Sequence, residues 1–177
     1  MNIVRYSIIA TLAGLGVPTG LVAQDKLVAR GAAGFSMTVE GTKQGVFPGG
    51  KGGGITGVRF SYLLKSPRDA ASGQASGKRQ HGSVVFTKVV GTASPQLFQA
   101  VTSNEVLKSV AIDLPSGEGG GYTIKLSNAA VSEIKQYTET LNGQTVVLED
   151  VSFTFQKIEV EDRGTRSMAM DDWMAGK

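Results

Sequence analysis

The chain has 177 residues, 41% of them apolar and 19% charged, which suits one folded domain with its own core and excludes a disordered polar chain. Its net charge is only +3 and its basic residues are dispersed, so the dense basic face of a nucleic-acid binder is missing. The lack of any cysteine excludes disulfides, thiol catalysis and cysteine-ligated metal. Glycine contributes 24 residues, about twice the usual share and without a collagen-like period, which predicts many turns and an all-β domain.

Residues 1–23 differ in kind from the rest. A short basic start ending at Arg5 precedes an apolar stretch from Ile8 to Val17, then Pro18 and Gly20, then Leu21-Val22-Ala23 before polar Gln24. That is the plan of a secretory signal peptide cut after Ala23. The competing readings are a membrane anchor, for which the stretch falls short of the about 20 residues a span needs, and a buried first strand or helix.

Past Asp25 the period becomes two. Phe35, Met37 and Val39 alternate with polar residues and predict a strand. Gly41 to Gly54 is a glycine-rich connection expected to stay out of the core. Val58, Phe60, Tyr62 and Leu64 form a second alternating run, followed by a long polar loop from Ser66 to Gly82, a length that compact domains usually keep for function. Ser83 to Val90 is a third strand. Ser94 as N-cap with Pro95 at the first helical position opens the one convincing helix, which Asn104 ends.

Val106 to Leu114, Tyr122 to Leu126 and Val131 to Leu141 alternate again as three strands, the first two separated by a turn at Gly117–Gly121. Asn142-Gly143 is a hairpin signal, since both residues tolerate positive φ. The partner strand, Thr145 to Val160, changes phase: Val151, Phe153 and Phe155 share one parity, Ile158 and Val160 the other. A phase switch predicts a bulge or a strand crossing between sheets. Residues 163–177 are expected as a flexible polar tail. The barrel domain is thereby bounded at 24–162.

Chemical motifs are few. Gly45 to Gly52 fits the spacing of a phosphate-binding loop, but Gly52 stands where Ser or Thr must hold magnesium, and Gly53-Gly54 cannot open a helix. His81 is the only histidine; a triad with Ser83 is conceivable on paper, but no nucleophile elbow accompanies it. Carboxylates run in Glu149-Asp150 and Glu159-Glu161-Asp162, and Asp171-Asp172 is a conceivable calcium ligand with nothing else beside it. Catalytic residues, cofactors and metals are therefore none. Arg68, Lys78, Arg79, Gln80 and His81 make the long loop a modest basic cluster, either solvated or placed against an acidic edge of a neighbouring subunit.

One further signal is co-linear. Gly77 to His81 leads into Val84 to Lys88, then Ala93 to Ala100, Asn104 to Leu107, Tyr122 to Ala129, Ile134 to Tyr137 and Leu148 to Ile158. In order and spacing, over about residues 33–162, these stretches resemble the Hcp (haemolysin-coregulated protein) family of type VI secretion systems. The resemblance implies an all-β, Hcp-like β-barrel of two packed antiparallel sheets with one short flanking α-helix. It also implies a non-enzymatic tube protein: a homohexameric ring that stacks on other rings, holds small effectors in its lumen and meets a tip protein. The loop Ser66–Gly82 would reach adjoining subunits or rings through Arg68, Lys78, Arg79, Gln80 and His81. The N-terminal segment departs from the family, whose members assemble in the cytoplasm without a cleavable export signal. It predicts a secreted or periplasmic protein of a Gram-negative bacterium, with no membrane contact once cut. Cytoplasmic assembly follows if the segment is not a working signal. The rival reading is a monomeric secreted binding module for a partner protein or glycan. A third, an enzyme using the carboxylates, lacks residues enough beyond Asp162 for a catalytic domain.

Overall fold

A computed structural model describes residues 34–50, 53–115 and 120–175, so the predicted signal peptide lies outside the described residues. Twelve strands and one helix occur among them. In chain order they are β1 (Ser36–Gly41), β2 (Gly45–Val46), β3 (Ile55–Thr56), β4 (Arg59–Ser61), β5 (Leu64–Lys65), β6 (Gln80–His81) and β7 (Val84–Val89). Then come α1 (Ser94–Thr102), β8 (Val106–Pro115), β9 (Gly121–Leu141), β10 (Gln144–Thr154), β11 (Lys157–Asp162) and β12 (Ser167–Asp172). All pairings are antiparallel.

Ten strands join one sheet, with the path β2-β1-β8-β9-β10-β7-β4 and with β3, β11 and β12 attached beside it. The sheet folds over into the two layers of a barrel, and β9 belongs to both. Its 21 residues exceed the usual strand length. Its first half pairs with β8 on one side and β11 on the other, and its second half with β10. Between the halves Asn128 takes φ +48°, a left-handed value that asparagine tolerates. The two strands expected over 122–141 are therefore one bent strand.

The predicted phase switch is real: β10 ends at Thr154, β11 begins at Lys157, and the ladder shifts between Ser152 and Phe153. The hairpin signal also holds, with Asn142 at φ +51°, Gly143 at φ +78° and Gln144 paired to Leu141. Between the layers lie Met37, Val39, Leu107, Val110, Ile112, Ile124, Leu126, Phe86, Val151 and Phe153, all buried, with Leu97 and Ala100 of α1 closing one side. Each of these side chains larger than alanine contributes about 1.5–3 kcal/mol on leaving water.

Four expectations need correction. The glycine-rich connection does reach the core: β2 pairs with β1, and Phe47 is 1% exposed. Glycine serves close packing there, because a Cβ at Gly41 would stand 2.4 Å from Glu105 Oε1. The run from Val58 to Leu64 is not one strand, since the chain leaves β7 after Ser61 and enters a separate β5–β6 ribbon. Ser94 does not cap α1; its hydroxyl is held by a buried ion pair instead. The tail is no loose end: residues 167–172 form β12, paired with all six residues of β11. Its apolar residues Met168 and Met170 stay exposed, so backbone pairing rather than burial orders it, and periodicity carries little signal of that.

Two buried carboxylates hold segments that hydrophobic contacts alone leave undetermined. Glu105 Oε1 accepts hydrogen bonds from Lys43 N at 2.6 Å and Gln44 N at 2.9 Å, and Oε2 accepts from Gln44 Nε2 at 2.8 Å. This ties the β1–β2 turn to the end of α1. Glu149, fully buried, faces Lys88 Nζ at 2.6 Å and accepts from Ser94 Oγ at 2.6 Å and Gln136 Nε2 at 2.9 Å. Burial pushes both carboxyls up, but the donors around them outweigh it and hold both below their ordinary 4.5.

A carboxylate with a depressed folded pKa stabilises the protein above the unfolded value and loses that contribution as pH falls through the folded one. The melting temperature of the wild type is therefore expected to drop as pH falls below about 4.5, and Glu105→Gln or Glu149→Gln to flatten that drop. Calorimetry across pH 3–7 checks it. Lys88→Met leaves a buried unpaired carboxylate and is expected to cost about 3–5 kcal/mol, whereas Lys88→Met with Glu149→Leu recovers most of it; urea unfolding of the two variants decides.

Candidate functional site

The long loop is built rather than loose. The ribbon β5–β6 pairs Leu64 with His81 and Lys65 with Gln80, and an isolated bridge joins Arg68 to Ala75 further out. At the tip Asp69 Oδ1 accepts from Ala71 N at 3.1 Å, Ser72 N at 2.7 Å and Ser72 Oγ at 2.8 Å, a turn built on its own side chain. Those bonds, Ser72's first, hold the Asp69 carboxyl below its usual range. Gly73, at φ +68°, donates its N–H to Asp69 O, and Arg68 Nη1 donates to Gly73 O at 3.1 Å. Residues 68–80 are all exposed. The loop is thus a preformed arm standing off the barrel.

At the base of the arm, chemistry concentrates. Arg79 donates through Nε and Nη2 to both oxygens of Asp171 on β12. His81 Nε2 lies 2.7 Å from Asp171 Oδ2, and its Nδ1 meets the Tyr62 hydroxyl. With Nε2–H donated to the carboxylate, Nδ1 is free to accept the phenol proton. The imidazole side chain is 3% exposed, enclosed by the rings of Tyr62 (6.1 Å between centroids), Phe155 (5.6 Å) and Trp173 (5.5 Å). The hydrogen bond from Arg79, with that from His81, holds the Asp171 carboxyl below its ordinary value despite partial burial.

A hydroxyl, an imidazole and a carboxylate in series make the skeleton of a nucleophile relay. Here the phenol moves the wrong way for that use: burial first, and the Asp171 charge second, push the Tyr62 pKa up. The His81–Asp171 bond in this series joins positions 90 residues apart.

Of the residues singled out in the loop, the structure brings Arg79 and His81 together on Asp171. Gln80 lies in the β6 ladder, Arg68 orders the tip, and Lys78 is exposed beside them. Sequence reasoning missed Tyr62, Phe155 and Trp173, which sit on three different segments, and it weighed Asp171 and Asp172 only for calcium. Asp171 is taken by Arg79 and His81, and Asp172 Oδ1 accepts from Met174 N. No cluster of three or more metal-ligating His, Asp or Glu side chains occurs among the described residues. The paired carboxylates are likewise engaged: Glu149 with Lys88, Asp150 with Thr87 and Tyr137, Glu159 with Lys157. In the phosphate-loop lookalike, Gly45-Val46 form β2 and Phe47 is buried, so that part of it is barrel wall.

Comparison with known proteins settles the family. Residues 49–161 match the model described as "Type VI secretion system effector, Hcp". The chain is also 33% identical over 160 residues to the "Major exported protein" of Pseudomonas aeruginosa, an alignment covering 77% of this chain and 93% of that one. The chain belongs to the Hcp family. Its fold agrees with the crystal structure of an Hcp protein at TM-score 0.72 and 26% identity, over 80% of this chain and all of the other. It agrees with secreted Hcp3 from Pseudomonas aeruginosa at TM-score 0.64 and 29% identity, over 81% of this chain and all of that one. As an Hcp, the chain is a type VI secretion tube protein.

Tyr62→Phe removes the donor to a nearly buried imidazole nitrogen. It is expected to cost about 1 kcal/mol, read from the urea midpoint.

Proposed function

We propose that this Hcp protein assembles as a homohexameric ring, that its rings stack into a tube, and that the lumen carries small effector proteins without catalysis. The observation that carries the reading is the family match over 49–161, which spans the arm and most of the barrel around it. Two features support it. The arm presents Lys65, Arg68 and Lys78 with its tip already ordered, which lowers the entropy lost on docking. Glu149 and Asp171, both with lowered carboxyl pKa, are tied into internal pairs. In this reading Arg68, Lys78 and Gln80 face a neighbouring copy, and a tip protein caps the stack.

Residues 1–23 act as an export signal cut after Ala23, leaving 24–162 as the barrel domain with the β12 hairpin added to it. Export of this kind would carry the chain away from a cytoplasmic assembly site, which favours a second reading: a secreted or periplasmic monomer that binds a partner protein or glycan through the same arm. The related Pseudomonas protein is exported by name.

Light scattering on the chain expressed from Gln24 separates the two. A mass near six times that of the monomer is the expected result; a monomer across a wide concentration range would leave the binding module as the function. Mass spectrometry of protein recovered outside the cytoplasm is expected to find Gln24 as its first residue, and an intact Met1 there would sink the signal.

A further inference from the structure

Among the described residues no backbone–backbone bond joins the arm's base to the C-terminal strand; each link runs through at least one side chain. Among the described residues β12 has one ladder partner, β11, and β6 pairs only with β5. Between them stand the bidentate Arg79–Asp171 pair, the His81–Asp171 bond and the Tyr62 hydroxyl on His81. The Trp173 ring lies against the imidazole, and its backbone N–H donates to Gln156 O at 3.1 Å, which pins residue 173 to the β10–β11 junction.

We infer that Tyr62, His81, Arg79 and Asp171 form an intramolecular clasp through which the C-terminal strand aims the arm, so that these are positioning residues for whatever the arm touches.

Three facts of geometry carry this. The ribbon β5–β6 has two pairs of residues only, too short to fix its own direction against the barrel. The clasp lies at the foot of the arm, where a small rotation moves the tip farthest. The aspartate accepts from two side chains of β6 and its flank, one of them enclosed by aromatic rings, so both translation and rotation of the ribbon are constrained. A charged bidentate pair is directional in a way that a lysine contact is not. The C-terminal hairpin thus has a purpose beyond adding a strand, although Met168 and Met170 bury little there. The clasp itself belongs to the single chain. The aim of the arm at a neighbouring copy rests on the ring reading above.

The test compares wild type with Asp171→Asn and with Arg79→Gln, the second because Arg79 is half exposed and its loss should not unfold the barrel. Limited trypsin digestion is followed at Lys78, in the arm, and at Lys88, which is 2% exposed in the core and reports global opening. Emission of Trp173, the only tryptophan, reports the clasp directly, and light scattering on the same samples reports assembly. Both variants are expected to be cut at Lys78 about tenfold faster, as a local opening made easier, with Lys88 unchanged, Trp173 emission shifted and any assembly dissociating at higher concentration than wild type.

Unchanged cutting at Lys78 in both variants overturns the clasp. So does equal acceleration at Lys88, which means that the barrel as a whole has opened. Faster cutting at Lys78 in an assembly as tight as wild type overturns the aiming role. A wild type that stays monomeric defeats the ring reading instead, and the Lys78 and Trp173 comparisons still decide whether the clasp exists.

Discussion

Because β9 supplies ladder bonds to β8 on one side and to both β11 and β10 on the other, the two layers cannot be assembled independently. A strand of 21 residues spans about 70 Å if straight, far more than one face of a domain this size, so it must bend. Asn128 provides the bend at φ +48°. The ladder of β10 ends where that of β11 begins, at the same level of β9. Everything after the bend follows from it: the phase change near Phe155, the return of the chain as a hairpin, and the position of Asp171 opposite the foot of the arm.

That arrangement leaves a seam. Where β9 turns from one layer to the other, the strands at the far ends do not meet through backbone bonds, and polar side chains must bridge what ladders do not. Aromatic rings shield the bridge: Tyr62, Phe155 and Trp173 around His81. A hydrogen bond in so dry a setting is electrostatically stronger than one in water, and an unpaired group there would be costly. Glu149 with Lys88 and Glu105 with the β1–β2 turn follow the same logic elsewhere. In these two cases a buried carboxylate fixes the place of a segment.

How far the sequence reveals this depends on whether the signal is local. Asn142-Gly143 is a two-residue chemistry and reads directly as a turn. The parity change between Phe155 and Ile158 is equally local, and it marks the crossing of layers. The helix reads from Pro95 and its apolar spacing, but not the role of Ser94, because a serine before Pro95 looks like a cap whether or not a lysine and a glutamate wait behind it. The tail escaped because β12 is ordered by backbone bonds and by one carboxylate, while hydrophobic periodicity reports only burial. The loop residues were found by composition. Their partner Asp171, about 90 positions away, was not, since no pattern in either stretch points to the other.

The geometry at the arm also explains why its charges are unequal in use. Arg79 is held at the foot of the arm by an acidic residue of β12; Arg68 bonds to the carbonyl of Gly73 and shapes the tip. Both guanidiniums therefore organise the arm before anything docks on it. What remains outward is Lys65, Lys78 and Arg68, whose bond to a neutral carbonyl leaves its charge intact, a mild positive field on an ordered frame. Such a surface gains little from raw charge at physiological salt. In the ring proposed above, its value for recognition would lie in shape and in a direction set beforehand, since neighbours must be met at one fixed angle for a ring to close.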